Sequence, residues 1–228
     1  VILFNLDVIH ALDHVDWTFT RGKVTKLFKN TGFLFISVFL DFYIFSSAKY
    51  AIDARMNNAA SGYFNLIFMP TSVIYMVANF VIRPFLTRLT DLWTGSDYDC
   101  FKKELMRIGA IILGLTVLAV GATAVLRKWV LSVMEMILGS DYEGRLVSYY
   151  GAFIIIVLGG GFYALANLMY YALVIMRRQK AIFTVYLAAA AAAAVLSGFL
   201  VSKFGINGAA GCYLLLMIGL VIGFGLYT

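Results

Sequence analysis

Six apolar segments separated by short polar or basic loops run along most of this chain. They lie near residues 31–48, 62–82, 108–126, 147–176, 181–201 and 209–228. A helix needs roughly 20 apolar residues to cross a bilayer. The fourth segment is longer, and we expect it to bend at its glycine triplet, 159–161. The pattern predicts an all-α polytopic transmembrane helical bundle over residues 31–228, preceded by an amphipathic, basic cytoplasmic lead-in over residues 1–30.

The composition agrees with a membrane protein. Hydrophobic residues make up 62% of the chain and charged residues only 13%, whereas a soluble globular domain carries about 25% charge. The net charge of +6 does not indicate a nucleic-acid partner, because the basic residues sit at the ends of the apolar segments. Membrane lipids are therefore the expected surroundings of the chain.

The distribution of basic residues predicts an orientation. If the amino-terminal side is cytoplasmic, twelve of the 18 basic residues lie on the inner side and six on the outer side, as the positive-inside rule favours. The loops at 49–61 and 203–207 then face outward, and the loop at 87–103 faces the cytoplasm. Residues 127–145 are expected to form a short helix at the outer membrane interface.

Polar residues recur along one face of the second segment. Asn65, Ser72 and Asn79 are seven residues apart, and Arg83 follows four residues later, so they share one helix face. Such a stripe is explained either by hydrogen bonds between helices or by a water-filled cavity. Pro70 interrupts the same segment, and we expect a kink there.

The first and fourth segments carry further polar candidates. Asp41 is the only acidic residue deep within a segment, and it shares a helix face with Ser37 and Lys49. An ionised carboxylate in hydrocarbon is costly, so Asp41 should face a cavity or pair with a cation on another helix. Tyr163 and Asn167 form a similar face on the fourth segment, and this pair suits either sugar binding or ordinary packing.

No enzyme signature is present. The chain has no GxxxxGK[ST], HExxH or GxSxG motif, so we assign no catalytic residue, no metal site and no cofactor. Cys100 and Cys212 are far apart and have no ligand-like spacing. The interpretation that follows is a non-enzymatic membrane protein.

Three short motifs carry a family resemblance. They are Ser61-Gly62-Tyr63, which leads into the second segment, Leu138-Gly139-Ser140-Asp141-Tyr142, and Phe204-Gly205-Ile206-Asn207-Gly208-Ala209-Ala210. In this order and spacing they resemble the multidrug/oligosaccharidyl-lipid/polysaccharide exporter superfamily. Within it, the chain most resembles the polysaccharide-repeat (O-antigen, Wzx-type) flippases.

The resemblance implies a transporter of two lobes with six helices each. This chain would be the carboxyl-terminal lobe, and the amino-terminal lobe of the same protein would be missing from it. The implied function is to flip an undecaprenyl-diphosphate-linked oligosaccharide across the bacterial cytoplasmic membrane by alternating access, in polysaccharide, O-antigen or capsule biosynthesis. The alternatives are a cation-coupled multidrug antiporter of the same superfamily, a polytopic enzyme of cell-envelope lipids and a non-transporting scaffold.

Overall fold

The computed structural model describes residues 21–138 and 146–228, and it is built almost entirely of helices. They are α1 (Arg21–Arg55), α2 (Asn58–Thr94), α3 (Tyr98–Leu138), α4 (Tyr150–Ile175) and α5 (Gln179–Gly225), with a 3-10 turn at Leu146–Tyr149 before α4. All five are long and apolar enough to cross a membrane. The predicted all-α polytopic bundle is confirmed for the described part of the chain. Residues 1–20 of the predicted lead-in lie outside it.

The described helices number five rather than the six predicted, because α5 contains both of the last two predicted spans. Its helical pattern is broken at Gly205, where φ is 57° and ψ is −133°. A Cβ atom on Gly208 would collide with the carbonyl oxygen of Leu200, and one on Gly223 would lie 2.7 Å from Val185. The chain therefore doubles back at Gly205 into two antiparallel arms, 179–204 and 206–225.

Helix α4 lies at the centre of the bundle and is helical throughout, including its glycine triplet. The glycines allow close approach of neighbouring helices. A Cβ on Gly159 would lie 2.7 Å from the ring of Tyr213 in α5, and one on Gly161 would collide with Thr116 in α3. The triplet thus serves as a contact surface, because small residues let helix backbones pack closely in a membrane, and the bend expected there stays a prediction.

One other local prediction needs correction. Residues 127–138 continue α3 instead of forming a separate interfacial helix, since no glycine or proline occurs between 122 and 138 to end it. Residues 139–145, the rest of that predicted helix, lie outside the described residues. Helix α2 continues through Pro70 and Pro84, because a neighbouring helix and local adjustment can accommodate proline in a membrane helix, and the kink at Pro70 stays a prediction.

Helices α1 and α2 make few contacts with each other. The two helices meet near the short turn that joins them, where the rings of Phe45 and Phe68 are 5.2 Å apart and the Lys49 ammonium group lies 4.6 Å above the Phe68 ring. Otherwise α1 packs mainly on α5, and α2 packs mainly on α4.

The loops predicted to face outward share one end of the bundle. Met56, in the turn between α1 and α2, packs against Gly205, and the rings of Tyr63 and Tyr149 are 5.7 Å apart. At the opposite end, Arg178 donates a 2.7 Å hydrogen bond to the carbonyl oxygen of Tyr227. The loops thus alternate between the two ends as an up-and-down bundle requires, while the compartment on each side stays a prediction.

Reporter fusions at Asn58 and Ser96 test that orientation. The two residues lie at opposite ends of α2, and the bias of basic residues predicts Asn58 outside and Ser96 inside. Alkaline phosphatase should be active at Asn58 and inactive at Ser96, and a cytoplasmic fluorescent reporter should give the reverse result. Activity of the same reporter at both positions would mean that α2 does not cross the membrane.

Candidate functional site

Asp41 is the centre of a polar cluster where α1, α4 and α5 meet. The Tyr163 hydroxyl of α4 donates a 2.9 Å hydrogen bond to Oδ2 of Asp41. The hydroxyl of Tyr186, in the first arm of α5, lies close to this carboxylate. Both tyrosines are buried. A buried carboxylate requires such donors, since an unpaired charge in the bundle would cost several kcal/mol.

Two polar atoms of this cluster are unsatisfied within the described structure. Oδ1 of Asp41 and the hydroxyl of Tyr213 are buried and have no hydrogen-bond partner among the described residues. The Tyr213 ring packs against Phe45 and Phe68, with centroid separations of 5.9 and 4.9 Å. Buried polar groups are nearly always paired, so the free Oδ1 atom has the capacity to bind a proton, a water molecule or a cation.

An amide pair lies close to the carboxylate. Asn167 of α4 donates a 3.3 Å hydrogen bond to the side-chain oxygen of Asn79 in α2, and Asn79 itself donates to the Tyr75 carbonyl oxygen at 2.9 Å. The Tyr75 and Tyr163 rings stack with centroids 5.1 Å apart. Tyr163 thus contacts Asp41 with its hydroxyl group and the amide-bearing part of α2 with its ring.

A cavity of about 220 Å³ opens beside the amide pair. Its lining consists of Tyr75, Met76, Asn79, Phe80, Arg83 and Tyr171. Arg83 is exposed at one edge, so its guanidinium group is free to approach a ligand that enters the cavity. Amide and hydroxyl groups both donate and accept hydrogen bonds, and the aromatic rings offer flat apolar faces. This lining suits a ligand rich in hydroxyl groups that also carries negative charge.

The structure brings together four of the seven predicted residues and places a fifth nearby. Asp41, Tyr163, Asn167 and Asn79 form the cluster, and Arg83 borders the adjoining cavity. Asn65 and Ser72 lie apart, on the exposed face of α2. For Asn79, the expectation of a hydrogen bond between helices is met.

Sequence reasoning missed Tyr75, Tyr186 and Tyr213. Tyr75 had a usable signal, since it lies four residues before Asn79 and therefore shares a helix face with it. Tyr186 and Tyr213 had none, because only the folding of α5 against α1 and α4 brings them to Asp41. No group of three or more His, Cys, Asp or Glu residues that could hold a metal ion occurs in the described ranges 21–138 and 146–228.

The chain was compared with protein-family models, curated proteins and solved structures. No family model, no curated protein and no solved structure matches it.

Cysteine labelling tests whether the polar face of α2 contacts water. Cysteines replacing Asn65 and Ser72 should react readily with a membrane-impermeant thiol reagent, because both positions are exposed and belong to the polar stripe that continues to Asn79. Cysteines at Phe68, which is 1% exposed, and at Val77, which faces the apolar groove between α2 and α3, should react slowly. The experiment requires a Cys100→Ser background, because Cys100 is exposed. Equal protection at all four positions would contradict a wet polar face.

Proposed function

We propose that this chain forms part of a transporter that flips undecaprenyl-diphosphate-linked polysaccharide repeat units across the bacterial cytoplasmic membrane by alternating access. The observation that carries the proposal is the Asp41–Tyr163–Asn167–Asn79 cluster, which lies beside an arginine-edged cavity within membrane-crossing helices. Intramembrane polar and ionisable residues are costly and commonly mark a substrate or ion pathway. The three resemblance motifs support the same function.

The substrate class follows from the lining of the cavity. Asn79 and the tyrosines Tyr75 and Tyr171 present hydrogen-bonding groups and aromatic faces, which suit the hydroxyl-rich rings of an oligosaccharide. Arg83 supplies a planar fork of donors that matches phosphate oxygens. We assign Arg83 to the diphosphate group and the tyrosine and amide groups to the sugars.

Asp41 is the proposed coupling residue. Its Oδ1 atom is buried without a partner among the described residues, so a proton or a small cation can bind there without displacing the Tyr163 hydrogen bond at Oδ2. Binding would neutralise the carboxylate and change its interactions with α4 and α5. An ion gradient can drive alternating access through such a site at the interface between helices.

The proposal includes a second lobe. A cavity of about 220 Å³ lies below the usual range of about 300–1,000 Å³ for a drug-sized ligand, and a lipid-linked oligosaccharide is larger still. The exposed polar face of α2, with Asn65 and Ser72, would complete the transport path together with a further six-helix lobe of the same protein. In this arrangement Asn65 and Ser72, which lie apart from the Asp41 cluster, line the same transport path as the cluster.

Arg83 provides the test of substrate recognition. Arg83→Lys keeps the charge and removes the fork, so we expect surface polysaccharide to fall at least about tenfold when the variant gene is expressed in the deletion strain. The lipid-linked precursor should accumulate on the cytoplasmic side. Arg177→Lys is the matched control, because Arg177 is exposed in the turn after α4 and should restore normal polysaccharide.

The same strains separate the flippase from a multidrug antiporter. A flippase deletion should abolish surface polysaccharide and leave drug sensitivity unchanged. An antiporter deletion should leave polysaccharide intact and raise sensitivity to cationic drugs, and that result would overturn the proposed function.

A further inference from the structure

A buried carboxylate holds two arginines at the end of the bundle near the α2–α3 turn. Glu104 of α3 is 6% exposed. Its Oε1 atom lies 3.6 Å from Nη1 of Arg88 in α2, and its Oε2 atom lies 3.9 Å from Nη1 of Arg107. These separations exceed a normal hydrogen bond, and Oε1 has no hydrogen-bond partner among the described residues. Glu104 therefore attracts both guanidinium groups electrostatically but accepts no hydrogen bond from their N–H groups.

The two arginines remain free to bind an anion. The side chains of Arg88 and Arg107 are 63% and 66% exposed, so their guanidinium groups, with five N–H donors each, are accessible to a ligand. Two guanidinium groups and one carboxylate leave a net charge of +1 in the cluster. That charge matches a phosphodiester, which carries one negative charge, better than a phosphate monoester, which carries up to two.

An apolar groove lies between the same two helices, farther along them from the α2–α3 turn. It has a volume of about 260 Å³, and its walls include Val73 and Val77 of α2 and Leu115 and Leu118 of α3. All four are partly or largely exposed, so the groove opens to the surrounding lipid.

The groove and the cluster lie in register. Val77 is eleven residues from Arg88, and Leu118 is eleven residues from Arg107, so each pair shares a helix face three turns apart. At 1.5 Å per residue, the apolar groove lies about 16 Å deeper in the bilayer than the arginines. A charged end followed by an apolar groove is the arrangement that a phospholipid requires.

We propose that the α2–α3 interface is a binding site for an anionic phospholipid of the surrounding membrane. The phosphodiester of the head group binds between Arg88 and Arg107, and one acyl chain lies in the groove past Val77 and Leu118. Glu104 is a positioning residue, which orients the two guanidinium groups and sets the net charge. The site does not depend on the proposed transport function, since it needs only a membrane-crossing α2 and α3. Basic pockets between helices at a membrane surface commonly bind lipid head groups.

Native mass spectrometry of the purified chain in detergent tests the site. Titration with dioleoyl-phosphatidylglycerol should give one high-affinity lipid, bound about tenfold more tightly than dioleoyl-phosphatidylcholine. Arg88→Gln and Arg107→Gln should each weaken phosphatidylglycerol binding about fivefold. Lys102→Gln is the matched control, because Lys102 is an exposed cation two residues before Glu104 in α3 but lines a different cavity, and it should have no effect.

Two further variants separate the head-group contact from the groove. Val77→Trp should fill the groove and weaken phosphatidylglycerol binding, and Glu104→Gln should shift the preference toward phosphatidic acid by removing the neutralising charge. Displacement of phosphatidylglycerol by millimolar inorganic phosphate would identify a free-anion site and overturn the lipid assignment. An equal loss of binding in Lys102→Gln and Arg88→Gln would mean that general surface charge, rather than this cluster, attracts the lipid.

Discussion

Replacing Asp41 with Asn is expected to reduce surface polysaccharide to the level of the deletion strain, while the protein still inserts and accumulates normally. Asn keeps the shape of the side chain and can still accept the Tyr163 hydrogen bond that Asp41 accepts at 2.9 Å. It removes the negative charge that binds a proton or a cation. Because a buried charge is costly, its removal should leave the thermal stability unchanged or raise it.

Asp53→Asn is the control for this change. Asp53 lies in α1 like Asp41, and it is exposed near the end of the helix, so the same substitution should leave transport intact. Tyr163→Phe removes the hydroxyl donor and keeps the carboxylate, and it should reduce transport partially. Both variants are measured by surface polysaccharide and by the amount of membrane-inserted protein. Full activity of Asp41→Asn would show that the carboxylate is merely tolerated, and the coupling role should then be abandoned.

Among the glycines of residues 21–138 and 146–228, Gly208 should be the one whose change to alanine destabilises the protein most. The added Cβ would collide with the Leu200 carbonyl oxygen and lie 2.7 Å from its carbonyl carbon. Those atoms are backbone, so the collision can be relieved only by opening the hairpin of α5. Overpacking of this kind costs about 3 kcal/mol, which corresponds to a melting temperature about 10 °C lower. Size-exclusion chromatography after heating in detergent measures the change.

Gly211→Ala is the matched control for the hairpin. It lies one turn further along the second arm, and no atom approaches its Cβ position within 4 Å. Because alanine favours helix over glycine by about 1 kcal/mol, this variant should be as stable as the parent or slightly more so. Melting of the two variants at the same temperature would contradict the close approach of the two arms at residues 200–208.

Local sequence patterns could identify some residues of the candidate site but not others. Asp41 was recognisable because a carboxylate within an apolar segment is costly wherever the helix packs. Asn79 belonged to a seven-residue repeat, which is also a local signal. Tyr163 is 122 residues from Asp41 in the chain, and only the packing of both α1 and α4 on α5 brings the hydroxyl to the carboxylate. Asn65 and Ser72 share the repeat with Asn79 but lie apart, since α2 turns only part of that face toward α4.

The sequence by itself determined that the chain is all-α and crosses the membrane several times. Bilayer thickness and the need to satisfy every backbone hydrogen bond act on each apolar segment separately, so hydropathy alone identifies the segments. Only the tertiary structure decided that α5 doubles back at Gly205 and that Tyr213 and Thr116 pack against the glycines of α4. Only the tertiary structure also decided that Glu104 lies near two arginines, at the same helix interface as an apolar groove. These features depend on side chains and backbone from different helices meeting in space, and the spacing of residues along one helix carries no information about which neighbour it will contact.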